Sequence, residues 1–155
     1  MKGNREIISA MNTLLTAELT AIDFYFVHSR VLDDLGYSKL YEQFKHEMED
    51  EKEHAAKIIE RLIFLEGTPE VGARLPFKVT KDVHKMLADD LDAEKNVRQL
   101  LIDCIDLCFL HKDYGTKEAL EPLLKDTEED HIDWLEMQLG IINDIGIERY
   151  LAEKL

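Results

Sequence analysis

Residues 44–58 read FKHEMEDEKEHAAKI, and within them Glu51 and His54 interrupt the apolar side of a predicted helix. Phe44 and Ile58 keep the spacing of one buried helix face on either side of this pair. A Glu-x-x-His pair places both side chains on one face, about one turn apart. Because a buried carboxylate without a partner is costly, this stretch predicts a helix that carries a cation-binding group into a protein core.

The same pattern recurs in residues 124–135, LKDTEEDHIDWL, where Glu128 and His131 are again three residues apart. Single glutamates, Glu18 and Glu94, interrupt the apolar stripes of two other predicted helices. Each of them precedes the Glu-x-x-His pair of the following helix by nearly the same number of residues. This repeat predicts two pseudo-equivalent helical hairpins. All six side chains are expected to meet at one level of the structure.

The charge and chemistry of this set predict a two-metal site. Four carboxylates balance two divalent cations, so the filled site carries no uncompensated buried charge. Oxygen and imidazole donors without thiolate favour iron or manganese over a structural zinc ion.

Helical periodicity predicts an all-α single domain over residues 1–155, with Ser38 and Thr80 as helix caps. The connection at residues 67–80, GTPEVGARLPFKVT, is long: fourteen extended residues reach roughly 46 Å. A helix of about 28 residues is about 42 Å long. The connection can therefore cross the whole bundle and make the second and third helices parallel. The predicted helices span residues 5–35, 38–66, 81–112 and 116–144, with a short fifth helix at 147–153.

Composition excludes several classes of function. The net charge of −14 and the lack of a basic tail argue against a nucleic-acid partner. Cys104 and Cys108, the two cysteines, are expected to be small core residues in a reducing compartment. The opening MKGNREII has no apolar signal region, and runs such as residues 62–65 are too short to span a membrane. We expect a cytoplasmic protein without a membrane partner.

With these motifs the chain resembles bacterioferritins along essentially its whole length, from MKGNREIISAMNTLLTAELTAIDFYFVHSR through HAAKIIERLIFLEGTPE and EEDHIDWLE to GIERYL. The resemblance implies a ferritin-like four-helix bundle with one long crossover and a short fifth C-terminal helix. It also implies a shell of about 24 subunits that oxidises Fe(II) with O2 or H2O2 and stores a ferric mineral. The residues that match the family's di-iron ferroxidase ligands are Glu18, Glu51, His54, Glu94, Glu128 and His131.

The resemblance suggests roles for three further residues. Tyr25 matches a tyrosine thought to donate an electron near the centre, although a core tyrosine with a bonded hydroxyl would fit equally well. His46 and Asp50 match an inner-surface iron site, and two solvated polar residues would fit them as well. A ferredoxin-type reductant for iron release is a further implied partner.

The sequence departs from the family at the position of the haem ligand. Bacterioferritins ligate haem b with a methionine just after the second-helix glutamate, where this chain has Lys52. Met48 lies one turn earlier and is the candidate for a displaced ligand, with an interface or surface methionine as the alternative. The chain is therefore expected to bind little haem alone, and a mixed shell with a second, haem-binding subunit is a possible partnership. Ile147 and Leu151 of the short last helix are expected to contact neighbouring subunits.

Two other functions compete with iron storage. A non-storage di-iron oxidoreductase, of the peroxidase or oxygenase type, would use the same bundle, but such enzymes usually need a substrate pocket or an electron-transfer domain. The sequence has no Cys-x-x-Cys rubredoxin-like segment, which favours storage. A non-catalytic helical shell would predict damaged ligands, and the ligand set is intact.

Overall fold

The computed structural model describes all 155 residues, and its elements are helices joined by irregular connections. A segment of π-helix interrupts the fourth long helix, which the sequence predicts as continuous. The elements are α1 (Arg5–Asp34), α2 (Ser38–Phe64), α3 (Val83–Leu110), α4 (Tyr114–Asp126), the π-helical segment (Thr127–Ile132), α5 (Asp133–Ile145) and α6 (Ile147–Ala152).

Two predicted caps are wrong by one or two residues. Asp82, not Thr80, caps α3, because its side chain accepts a hydrogen bond from the Lys85 N–H. Helix α2 has Tyr37 at the N-cap position without a side-chain hydrogen bond, so Ser38 is already helical. Such shifts at helix ends leave the element count intact.

The apolar core is divided into two clusters by a polar layer. The first cluster takes the N-terminal half of α1, the C-terminal halves of α2 and α3, and α4. The second takes the opposite halves of α1, α2 and α3, together with α5 and α6. Since α2 and α3 contribute the same halves to each cluster, they run parallel, which confirms the predicted crossover bundle.

The crossover lies along α1 and is tied to it at regular intervals. Asn12 bonds the Thr68 carbonyl and the Glu70 N–H, at 3.1 and 2.9 Å. The Leu75 N–H donates to Thr20 Oγ1 at 2.9 Å, and further along Thr80 N–H donates to Nε2 of the buried His28. These contacts satisfy backbone groups that the irregular segment cannot pair within itself.

Helix α6 turns back onto the end of the bundle at Gly146, whose φ of 84° suits glycine. Tyr150 is buried and its hydroxyl donates to Gln138 Oε1 at 2.8 Å. Ile147 and Leu151 pack against the second cluster. The apolar side of α6 therefore partly covers its own bundle, contrary to the expectation that it had little of its own core to cover. Contact of Ile147 and Leu151 with neighbouring subunits stays a prediction.

Helix α1 is long and apolar enough to cross a membrane by length and composition alone. Half of its most apolar stretch is buried inside the bundle, however, so packing in the core accounts for that composition. Both cysteines are free and buried in the first cluster, which confirms the prediction that they are core residues.

Candidate metal centre

The polar layer between the two clusters contains five of the six predicted ligands. Each comes from a helix position where a buried face is interrupted, so all five side chains point into the bundle instead of into solvent. They are almost completely buried: Glu18 0%, Glu51 1%, Glu94 1%, His131 1% and His54 6% exposed.

These side chains form two donor groups that share Glu51. Glu18, Glu51 and His54 make one group and Glu51, Glu94 and His131 the other, with all donor atoms within 4.8 Å of one another in each. His54 Nδ1 lies 3.6 Å from Glu51 Oε2. His131 Nδ1 lies 2.9 Å from Glu51 Oε1. Because Glu51 turns one oxygen toward each group, its carboxylate has the position of a bridge between two metal ions.

The donor atoms at the centre have no hydrogen-bond partner in the protein. Both oxygens of Glu18 and of Glu51, one of Glu94, and Nδ1 of both histidines are buried and unpaired. Leaving even one polar atom in this state costs about 1–3 kcal/mol, and more when it is charged. Seven such atoms converging on one space fit a cation pair, which would satisfy them together.

Burial and mutual repulsion set the protonation of the centre. Burial, followed by the neighbouring Glu18 and Glu94 carboxylates, raises the pKa of Glu51 well above its usual range. Burial opposes the charge on both histidines, but the surrounding carboxylates outweigh it, so the pKa of His54 rises to about 11 and that of His131 to about 10. Protons therefore hold the positive charge that the buried carboxylates need, and a metal ion must displace them.

Glu128, the sixth predicted ligand, lies outside this group. Its carboxylate pairs with Arg98, 2.5 Å away, and the side chain is 39% exposed, so the prediction that it is buried on the face of His131 is wrong. The reason is the π-helical segment, which closes its turns with i→i+5 hydrogen bonds. Residues three apart no longer share a face there, whereas the residue five positions before His131, Asp126, does come onto that side.

Two buried or partly buried residues before His131 were not singled out by the sequence. Asp126 Oδ2 lies 2.6 Å from His54 Nε2 in hydrogen-bond geometry. Thr127 is fully buried, and its hydroxyl has no partner. Helical spacing assigns Asp126, five residues before His131, to another face, so no pattern marks it. Thr127 is four residues before His131, and this spacing is the signal that could have identified it.

Glu47 is a third residue that sequence reasoning missed. It is 5% exposed, and with Asp50 and His131 it forms another group of possible metal donors. Glu47 Oε2 lies 3.0 Å from His131 Nε2. Its position four residues before Glu51, on the same helix face, is the signal that could have identified it.

The remaining predicted site residues lie around the centre. Tyr25 is buried and its hydroxyl donates to Glu94 Oε1 at 3.1 Å, a contact compatible with both roles considered for it. His46 is exposed, with Nε2 3.4 Å from Asp50 Oδ2. Met48 is partly buried against the second core cluster, whereas Lys52 is exposed and pairs with Glu49.

A cavity of about 450 Å³ between α1, α3 and the crossover reaches Glu94. Asp90 lines it, is 2% exposed and has one oxygen without a partner. Burial raises the pKa of Asp90 well above its usual range, with the charge of Glu94 adding to the effect. A small molecule in this cavity would lie beside the second donor group.

Comparison with known proteins gives one family. The model of the ferritin-like domain matches residues 8–145. Bacterial ferritin from Pseudomonas aeruginosa is 45% identical over the full length of both chains, and bacterial ferritin from Synechocystis is 44% identical over all of this chain and 99% of its own. Bacterioferritin from Brucella melitensis is 38% identical over 97% of this chain and 92% of its own.

Proposed function

The chain belongs to the ferritin family, and we propose that it oxidises ferrous iron between its four helices and stores the ferric product. The observation that carries this proposal is the convergence of seven unpaired, buried donor atoms on one space, in two groups joined by Glu51. Buried polar groups with a purely structural role are usually hydrogen-bonded, and seven unpaired atoms at one place exceed the isolated exceptions at Asp90 and Thr127.

The residues at the centre would bind iron as substrate, with different residues binding each of the two ferrous ions. Glu18 and His54 would hold one ferrous ion, Glu94 and His131 the other, and Glu51 both. Two ions held side by side could each give one electron to the same molecule of O2 or H2O2. The three buried carboxylates, Glu18, Glu51 and Glu94, would balance three of the four positive charges of two ferrous ions.

The full six-ligand assignment, with Glu128 included, stays a prediction. Glu128 would have to exchange Arg98 for iron and turn inward to complete it. The pair with Arg98 is partly exposed on both sides, so breaking it costs about 1 kcal/mol or less. Iron binding could readily supply that free energy.

The family suggests the setting in which this centre works. We propose a shell of about 24 subunits in the cytoplasm, alone or mixed with a second, haem-binding subunit, and a ferredoxin-type reductant for iron release. His46 and Asp50 would bind iron on the inner surface, Tyr25 would supply an electron to the centre, and any haem would use Met48.

A non-storage di-iron oxidoreductase is the second candidate, because the cavity at Glu94 could admit a small substrate. Adding ferrous iron to the metal-free protein in air separates the two functions. Storage predicts ferric absorbance that continues to grow well beyond two irons per chain, with the iron retained in particles of constant outer size. Oxidation that stops at two irons per chain, or a precipitate outside the protein, would contradict storage.

A further inference from the structure

Both histidines of the centre are oriented in the same way. Nδ1 of His54 faces Glu18 and Glu51, and Nδ1 of His131 faces Glu51 and Glu94. The opposite nitrogen, Nε2, faces away from the donor groups in each ring. The two rings are nearly parallel, with an interplanar angle of 19° and centroids 5.6 Å apart.

Each outward nitrogen meets a carboxylate that belongs to neither central donor group. Asp126 Oδ2 lies 2.6 Å from His54 Nε2. Glu47 Oε2 lies 3.0 Å from His131 Nε2, in a contact that is close but not aligned as a hydrogen bond. Gln43 holds the other oxygen of Glu47 at 2.6 Å, so this carboxylate is itself fixed in place.

We propose that Asp126 and Glu47 are positioning residues that keep Nδ1 of His54 and His131 free for metal. This inference rests on the proposed iron centre and deepens it. A neutral imidazole carries one N–H, and an acceptor at Nε2 keeps the hydrogen there, leaving the Nδ1 lone pair for the metal. The same contact holds the ring against rotation and makes the ligand more basic.

The π-helical segment separates Asp126, the last residue of α4, from His131. Asp126 is five residues before His131, and a regular α-helix would place two residues at that spacing on different faces. Across the wider turn the two residues come to the same side, with Asp126 Oδ2 4.0 Å from His131 Nε2. Asp126 therefore lies near both rings, at the junction of α4 and the π-helical segment.

Cobalt(II) binding to the full-length, metal-free protein tests the proposal without iron oxidation. The titration is followed by calorimetry and by the visible absorption of the bound ion. Asp126→Ala is expected to weaken binding at the His54 half by roughly 10–100-fold, the usual loss for such a partner, and Glu47→Ala to do the same at the His131 half. Asp126→Asn keeps an oxygen acceptor, so it should recover most of the affinity lost in Asp126→Ala.

Glu129→Ala is the matched control, because it removes the same charge three residues further along the chain, at an exposed position in the π-helical segment. It should bind two cobalt ions with wild-type affinity, and all variants should keep the wild-type helical content without metal. Equal affinity of Asp126→Ala and wild type would overturn the proposal and leave the iron centre standing. An Asp126→Asn variant as weak as Asp126→Ala would also overturn it, because charge and not acceptance of the Nε2 hydrogen would then be required. A wild-type protein that binds no cobalt at the centre would instead refute the proposed function.

Discussion

Replacing Glu51 with alanine removes the carboxylate that the two central donor groups share. Each group then keeps two of its three protein donors. Loss of a residue that merely supports a metal ligand costs roughly 10–100-fold, so loss of a direct bridge should cost at least that much. We expect the initial oxidation rate at two irons per chain to fall by at least about tenfold, or about 1.4 kcal/mol in activation free energy.

The assay is stopped-flow absorbance of ferric iron after mixing with ferrous iron in air, with particle size measured by sedimentation. Glu51→Gln serves as the folding control, because it keeps the shape of the side chain without the cost of a buried charge. It should retain the thermal stability of the metal-free wild type, or exceed it. Glu60→Ala removes an exposed glutamate from the same helix and should leave the rate unchanged. A Glu51→Ala protein that oxidises the first two irons at the wild-type rate would refute the bridging role.

Three other predictions concern protons, folding and haem. The raised pKa values of His54 and His131, about 11 and about 10, mean that both rings are protonated near pH 7 in the metal-free protein. Cobalt must displace those protons, so its affinity should rise as the pH rises toward these pKa values, by about tenfold per pH unit for each proton released. Calorimetry in buffers of different ionisation enthalpy would count the released protons. Tyr150→Ala should lower the free energy of unfolding, measured by urea titration, by about 3–5 kcal/mol, because it empties a buried site that holds α6 on the bundle. A change below about 1 kcal/mol would show that α6 contributes little to stability. Protein purified with haem supplied should show a weak Soret band that Met48→Leu abolishes. Near-stoichiometric haem that survives this substitution would contradict both the low haem content and the role of Met48.

The bundle and most of its centre could be predicted from sequence because their patterns are local. Glu51 and His54 interrupt one helix face at regular α-helical spacing, and burial follows from the apolar residues around them. The parallel crossover followed from the length of residues 67–80 alone. In each case, a short-range regularity determined the three-dimensional result.

The π-helical segment is the part that spacing could not reveal. A regular helix places Glu128 with His131, but in the wider turn Glu128 pairs with Arg98, and Asp126 comes near His131 as well as His54. A spacing pattern predicts helix faces correctly only where the number of residues per turn is constant, and one extra residue in a turn shifts every face beyond it. The placement of α6 was missed for a different reason, because burial of Tyr150 depends on how the end of the bundle is shaped.

We propose that two metal ions bind between the helices, in the two groups joined by Glu51. Anomalous diffraction from crystals of the iron-loaded protein, collected at the iron edge, tests it most directly. We expect two peaks per chain, one beside Glu18 and His54 and one beside Glu94 and His131, with the Glu51 carboxylate between them. Peaks found only at the His46–Asp50 surface or at the Glu47–Asp50 group, with none between the helices, would contradict it.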